Sequence, residues 1–404
     1  MGRRLGDDVV EARRARFGLC SLTVVTSSES RVTATETRID ALDALRALTL
    51  LGVLVVNVDT QFARSPFASF VGDARPIGLD ALAIHLVRSL LQERPLVVFS
   101  LLFGVGLSAG RAARRTRDQL RRLIVLFAFG VLHFVLLWSG DVLALYAVVG
   151  LAAALIVRLR LPHLWLFVLG LAAIVTSALP IPYPPPFVDA SAMQSHVAAA
   201  SAIYSNGTYL EIVRFRVAEA WPTLAISLWS VPRTLGLFLL GATLWNAGAF
   251  ARAQRARLVF GSAVILALGL SVVALSDVLR GVSLAVALGV GEIAISLGGA
   301  GLLVAALDAP LARGARRALA PIGRMTLTSY LAQSVVLGFV FYGYGAGAFE
   351  RVGHARGVAL SLALFTVQLG LARVWLARFL LGPMEWLWRA LSLGVRLPLR
   401  RPRT

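Results

Sequence analysis

The chain alternates between long apolar blocks and short clusters of arginine. The blocks fall at residues 41–57, 95–110, 123–138, 142–157, 162–179, 223–250, 258–276, 283–307, 322–344 and 357–377. An apolar stretch of about 20 residues matches the roughly 30 Å hydrocarbon core of a bilayer, so the pattern reads as an all-α bundle of about ten transmembrane helices. The arginine clusters come after every second block: Arg111, Arg114, Arg115, Arg117, Arg121 and Arg122, then Arg158 and Arg160, then Arg252, Arg255 and Arg257, then Arg313, Arg316 and Arg317. Positive charge collects on the cytoplasmic side of a membrane protein, which places these loops and both termini there.

Some segments follow other rules. Residues 78–92 set Leu79, Leu82, Ile84, Leu86, Leu90 and Leu91 among Asp80, His85 and Arg88, the pattern of an amphipathic helix lying at an interface, with His85 at its surface. Residues 180–221 form the longest external segment; it begins PIPYPPPF, and residues 190–220 are suited to an amphipathic helix over the external mouth. Residues 1–36 mix charges around an apolar patch too short to span, and read as a disordered cytoplasmic leader. The expected organisation is therefore this leader, a single transmembrane helical domain over 37–396, and a basic tail at 397–404. Within the second block, Gly104 and Gly106 suit close helix packing.

Composition sharpens the class. Of 404 residues, 58% are hydrophobic and 15% charged, and the mean hydropathy is +0.77. A soluble domain does not have this balance. The net charge of +19 is carried entirely by arginine, placed between apolar runs. Anionic lipid head groups are thus the expected partners, and nucleic acid is not. The single cysteine, Cys20, excludes an internal disulfide framework and a cysteine-based zinc site.

Polar residues inside apolar blocks cost several kcal/mol, roughly 2.5–3.5 on insertion scales, unless they find partners, so each is a candidate for function. His133 lies well inside the third block and Asp141 at the pause before the fourth; the two share an external-side stratum with Tyr146. In the first block Asp43, Arg46 and Asn57 fall near one helical face, and Asp43 and Arg46 can pair as an interfacial salt bridge or face a ligand. Arg233 follows Pro232 in the sixth block, and Glu292 in the eighth can serve as its counter-ion, either structurally or as a binding site. The ninth block opens with a polar stripe of Thr326, Tyr330 and Gln333. His354 is expected in an external loop without a functional role.

Five ordered segments carry a resemblance: FSLLFGVG, RRL…FGVLHFVLLWSGDVLALYA, PRTLGLFLLGATLWNAG, IGRMTLTSYLAQS and GPMEWLWRAL, with RIDALDALRALTLLGVLVVNV at the start. Together they resemble the YeiB-like family of bacterial inner-membrane proteins over about residues 38–396. The chain departs from that pattern at Ala47, where the family favours glycine, and at Ser329, where it favours asparagine. The family is long described as uncharacterised, sometimes as a transporter, and is distantly similar to transmembrane acyltransferases such as the lysosomal enzyme that acetylates heparan glucosamine. That resemblance implies transfer of an acyl group from cytoplasmic acyl-CoA to a small-molecule, glycan or lipid acceptor outside. His133 would be the general base and Asp141 its orienting partner or acceptor ligand, with acyl-CoA a co-substrate and no permanently bound cofactor.

The chemistry agrees with that expectation. Attack of a hydroxyl or amine on a thioester needs a base of near-neutral pKa, which histidine supplies. Arg46, Arg111 and Arg324 are available to coenzyme A phosphates at the cytoplasmic mouth. Asn57, Tyr146, Arg233, Glu292, Thr326, Tyr330 and Gln333 are the candidate substrate-binding residues. No zinc motif, nucleotide-binding glycine loop or GxSxG elbow is present, so no metal site is expected. The alternative reading is a permease for a small anionic solute, with Arg233 and Glu292 as its centre and Pro232 as the helix break.

Overall fold

The computed structural model describes residues 40–71, 76–110, 116–179, 189–251 and 254–401. The expected leader lies outside the described residues, as do Arg111 and the proline-rich run of the external segment. The described chain is all-helical apart from one isolated bridge between Phe379 and Arg400. Its main helices are α1 (Asp40–Asn57), α2 (Gly78–Leu90), α3 (Arg94–Ala109), α4 (Thr116–Leu136), α5 (Leu143–Arg158), α6 (His163–Ser177), α7 (Ala190–Asn206) and α8 (Tyr209–Ala218). They continue as α9 (Ala220–Asn246), α10 (Arg255–Ala274), α11 (Gly281–Asp308), α12 (Arg313–Gly323), α13 (Thr326–Phe341), α14 (His354–Arg378) and α15 (Pro383–Leu393).

Among the described residues, 7 helical segments are long and apolar enough to cross a membrane, as a polytopic bundle requires. Three apolar helices are shorter: α5, α6 and α13. At 1.5 Å per residue a 16-residue helix such as α5 or α13 reaches about 24 Å, less than the roughly 30 Å of hydrocarbon.

Burial ranks these helices by position. In α1 and its extension to Phe62, 72% of the apolar window is buried, against 11% in α10, so α1 is central and α10 peripheral. Helix α1 does not stop at Asn57 but widens into a π turn over Val58–Phe62, which brings the buried Asp59 into the protein interior. Helices α3 and α9 meet backbone to backbone. A methyl group at Gly104 would strike the Phe238 carbonyl, and one at Gly241 the backbone of Leu101 and Val105. Gly106, also expected to serve packing, instead faces open space.

The amphipathic reading of residues 78–92 matches α2, which buries Val87 and turns Leu79, Leu82, Leu86 and Leu90 outward along one stripe. The segment expected to be external folds as α7 and α8. Asp189 caps α7 by accepting from the Ala192 amide at 2.7 Å, and Thr208 with Glu211 forms a reciprocal capping box on α8. Those backbone hydrogen bonds hold both carboxyls below the ordinary carboxylate range. At the opposite end, α15 packs on the start of α4: the Arg122 guanidinium lies 4.0 Å over the Trp388 ring, and the Trp388 indole donates to the Arg122 carbonyl. Glu385 of α15 closes the N-terminus of α13, accepting from the amides of Leu327 and Thr328 and from the Thr328 hydroxyl at 2.5–3.1 Å. Burial nevertheless pushes its carboxyl above the ordinary value of 4.5, against the opposing effect of those bonds.

Candidate active site

The site begins with a short turn between two apolar helices. Helix α4 ends at Leu136, the chain reverses through Trp138 to Val142, and α5 starts at Leu143. Gly130, one turn before His133 on α4, lets the returning backbone come close. A methyl there would stand 2.8 Å from Asp141 Oδ2 and from the Ala144 Cα. Asp141 is fixed from both sides: Oδ2 accepts from the Ala144 amide at 2.9 Å, and Oδ1 lies 2.8 Å from His133 Nδ1. A carboxylate only accepts, so Nδ1 carries the proton and Nε2 presents its lone pair.

That lone pair meets Ser334. Its Oγ, on α13, lies 2.8 Å from His133 Nε2. The side chains of His133 and Asp141 are 0% and 1% exposed, and Ser334 is 1% exposed, so the three groups form a buried Asp–His–Ser chain drawn from two helices and the turn between α4 and α5. Tyr330, one turn before Ser334, places its ring 5.0 Å from the imidazole, and Trp138 meets the imidazole edge-on at 6.0 Å. The Tyr330 hydroxyl is turned toward the backbone at Val142 but completes no hydrogen bond of good geometry. Such a chain can take a proton from a hydroxyl and hold the resulting imidazolium against a carboxylate.

Helices α7 and α8 lie over this end. The last-turn carbonyl of Leu136, which has no partner within its own helix, accepts from the Tyr209 hydroxyl at 3.0 Å and from Arg216 at 2.9 Å. Beneath them Glu219 is fully buried and accepts from Tyr204 at 2.5 Å, with His196 at 3.1 Å. Burial, and then the Glu219 charge, push the Tyr204 hydroxyl well above the ordinary value of 10.0.

The other candidates separate into three groups. Arg46 pairs with Asp43 at 2.7 Å as expected, and the Gly323 backbone abuts Asp43, so Arg324 shares that end of the bundle. Tyr146 bonds to Ser100 at 2.7 Å, facing α3 and not the imidazole. Gln333 also turns away, donating to Gln368 of α14 at 2.8 Å, so Tyr330 is the member of the polar stripe that reaches the histidine. Thr326 and Asn57 are half-buried at the start of α13 and the end of α1.

Two expectations need correction. Arg233 and Glu292 are not partners. The consecutive residues Glu93 and Arg94 come between them: Arg233 pairs with Glu93 at 2.6 Å, and Glu292 with Arg94 at 3.0 Å. Helices α9 and α11 both pack on α3, so its N-terminus offers each a nearer partner. These side chains are 21–50% exposed. His354, in turn, does not lie in a loop. It is buried at the start of α14, with Nδ1 2.5 Å from Asp59 and Nε2 3.0 Å from Arg64. Arginine only donates, so Nε2 accepts and Nδ1–H faces Asp59, which leaves no free base there.

Among the described residues, seven helical segments of membrane-crossing length are consistent with a polytopic membrane bundle, and it encloses this buried polar chain. Residues 242–395 match a family described as "Protein of unknown function (DUF418)"; this segment holds Tyr330 and Ser334 but neither His133 nor Asp141. Over almost the whole chain there is distant homology to bacterial proteins of YeiB type. The chain is 26% identical over 401 residues to "Uncharacterized protein YxaH" of Bacillus subtilis (strain 168), covering 90% of this chain and 96% of that protein. It is 26% identical over 387 residues to "Uncharacterized protein YeiB" of Escherichia coli (strain K12), covering 88% and 97%. It is 27% identical over 380 residues to an uncharacterized 39.9 kDa protein of Bacillus acidopullulyticus, covering 91% and 97%. No solved structure matches.

Proposed function

We propose that this chain is an acyltransferase of the bacterial inner membrane, crossing it ten times with both termini in the cytoplasm. It moves an acyl group from cytoplasmic acyl-CoA to an acceptor on the external side. The observation that carries the reading is the 2.8 Å bond between the buried side chains of His133 and Asp141. A histidine whose tautomer is set by a carboxylate is a prepared general base, and the reaction needs one proton removed from the attacking hydroxyl. The arginine-bearing end at Arg46 and Arg324 suits the phosphates of coenzyme A. Ser334 lies eight residues into α13 from Thr326, about 12 Å along the helix axis, a span that an extended pantetheine arm covers.

The test is purified protein in nanodiscs with acetyl-CoA. Wild type is expected to bind it and release free coenzyme A. His133→Gln keeps the side-chain bulk and one hydrogen bond but takes no proton, so it is expected to bind acetyl-CoA without releasing coenzyme A. Absence of both binding and release in wild type, or undiminished release by His133→Gln, overturns the proposal.

A further inference from the structure

Resting on the acyl-transfer reading, we infer that Ser334 is the nucleophile that carries the acyl group between donor and acceptor, as an ester on its Oγ. The ordinary fate of serine in an apolar helix is to donate to the carbonyl four residues back. Ser227, Ser271, Ser296 and Ser361 all do so, at 2.7–2.9 Å. Ser334 does not follow them. Its contact with the Tyr330 carbonyl is stretched to 3.4 Å, whereas His133 Nε2 is 2.8 Å away. A hydroxyl has one proton, and the nearer acceptor with a free lone pair takes it. That leaves the Ser334 oxygen hydrogen-bonded to a base whose opposite nitrogen is held by a carboxylate, the arrangement that activates a serine. The Tyr330 hydroxyl, on the same helix face and without a good partner, is the spare donor for negative charge on the acyl oxygen.

The reaction then runs in two balanced halves. Ser334 Oγ attacks the thioester carbonyl while His133 Nε2 removes its proton. The carbon–sulfur bond breaks, and the imidazolium returns that proton to the departing thiolate, giving free coenzyme A and an acyl-serine ester. In the second half an acceptor hydroxyl or amine attacks the ester, His133 takes its proton, and the carbon–oxygen bond breaks as that proton returns to Ser334. No oxidant, metal or co-substrate beyond acyl-CoA and the acceptor is required.

The experiment mixes full-length protein in nanodiscs with acetyl-CoA alone, quenches in denaturant, and maps acetyl groups by peptide mass spectrometry. The expected result is an acetyl group on Ser334 that alkaline hydroxylamine removes. Ser334→Ala is expected to bind acetyl-CoA but carry no acetyl, and Ser334→Cys to carry it as a thioester. If Ser334→Ala misfolds, binding is lost, and the wild-type map together with Ser334→Cys decides. Acetyl found on His133, or Ser334→Ala releasing coenzyme A at the wild-type rate, overturns the serine intermediate and leaves acyl transfer standing. Wild type that neither binds acetyl-CoA nor releases coenzyme A overturns both.

Discussion

The packing of α4 against the start of α5 can be tested with one methyl group. Replacing glycine by alanine within a helix ordinarily stabilises it by roughly 0.5–1 kcal/mol, because alanine loses less conformational freedom. At Gly130 the added carbon would stand 2.8 Å from both Asp141 Oδ2 and Ala144 Cα, and nearer still to the Ala144 nitrogen. Those neighbours are mostly backbone and cannot rotate away. Forcing such a contact costs typically about 1–3 kcal/mol, and contacts this short, largely with backbone, lie toward the upper end, so the net effect of Gly130→Ala is a loss of up to about 2.5 kcal/mol. Gly106→Ala supplies the control. It lies in α3, where the new methyl meets nothing within 4 Å, and it should gain stability. The two variants are therefore expected to differ in sign. Thermal unfolding of both in the same detergent reads that sign directly. Coenzyme A release by Gly130→Ala should also fall by about 100-fold if Asp141 is displaced by as much as 1 Å from His133. If Gly130→Ala melts above wild type, alongside Gly106→Ala, the close approach that positions Asp141 is refuted.

Three further outcomes are expected. Tyr330→Phe removes a buried hydroxyl without a good partner, a group that costs about 1–3 kcal/mol, so melting should hold or rise while acyl transfer falls roughly 100-fold; a lower melting temperature would show that the hydroxyl is bonded after all. Burial raises the Glu385 carboxyl above its ordinary 4.5, so between that value and the folded-state value the folded protein holds more protons than the unfolded chain. Stability should accordingly decline as pH rises through that window, and Glu385→Gln should remove the decline; matching slopes in both proteins would count against it. Reporter fusions after Arg117, Arg160, Arg255 and Arg317 should score cytoplasmic and those at Asn206 and Gly347 external, and a fusion set implying an odd number of crossings would dismantle the ten-span topology.

The helices were legible because a bilayer imposes length and polarity on whole segments, and no fine packing enters that rule. The histidine stood out for the same reason: an ionisable residue among FGVLHFVLL needs a partner inside the bundle. Its partner followed from the short turn, since Asp141 must return beside α4. Ser334 was not legible. A serine in an apolar helix normally satisfies itself, and only the rotation of α13, with Gln333 given to α14, brings its neighbour to the imidazole. The misassigned ion pairs have a related cause. Charge sign shows that Arg233 and Glu292 need counter-ions, but the choice among Glu93, Arg94 and each other depends on which helix lies between. His354 was misplaced because the π turn that carries Asp59 inward leaves no mark in the apolar pattern.

The two bonds that α8 makes to the Leu136 carbonyl bear on how an external ligand would be measured. They fasten the cover to the last turn of the helix that carries His133. On the acyl-transfer reading, an acceptor that came in past α8 would have to displace it, and doing so would strip that carbonyl of both donors at once. The covered form would then be the ground state and an uncovered form a minor population. Apparent affinity for such an acceptor equals the intrinsic affinity scaled by the open fraction, so a variant that lacks both donors would bind more tightly without touching the ligand. Tight and weak acceptors would gain by the same factor, which separates a shift in the cover's equilibrium from any change in recognition.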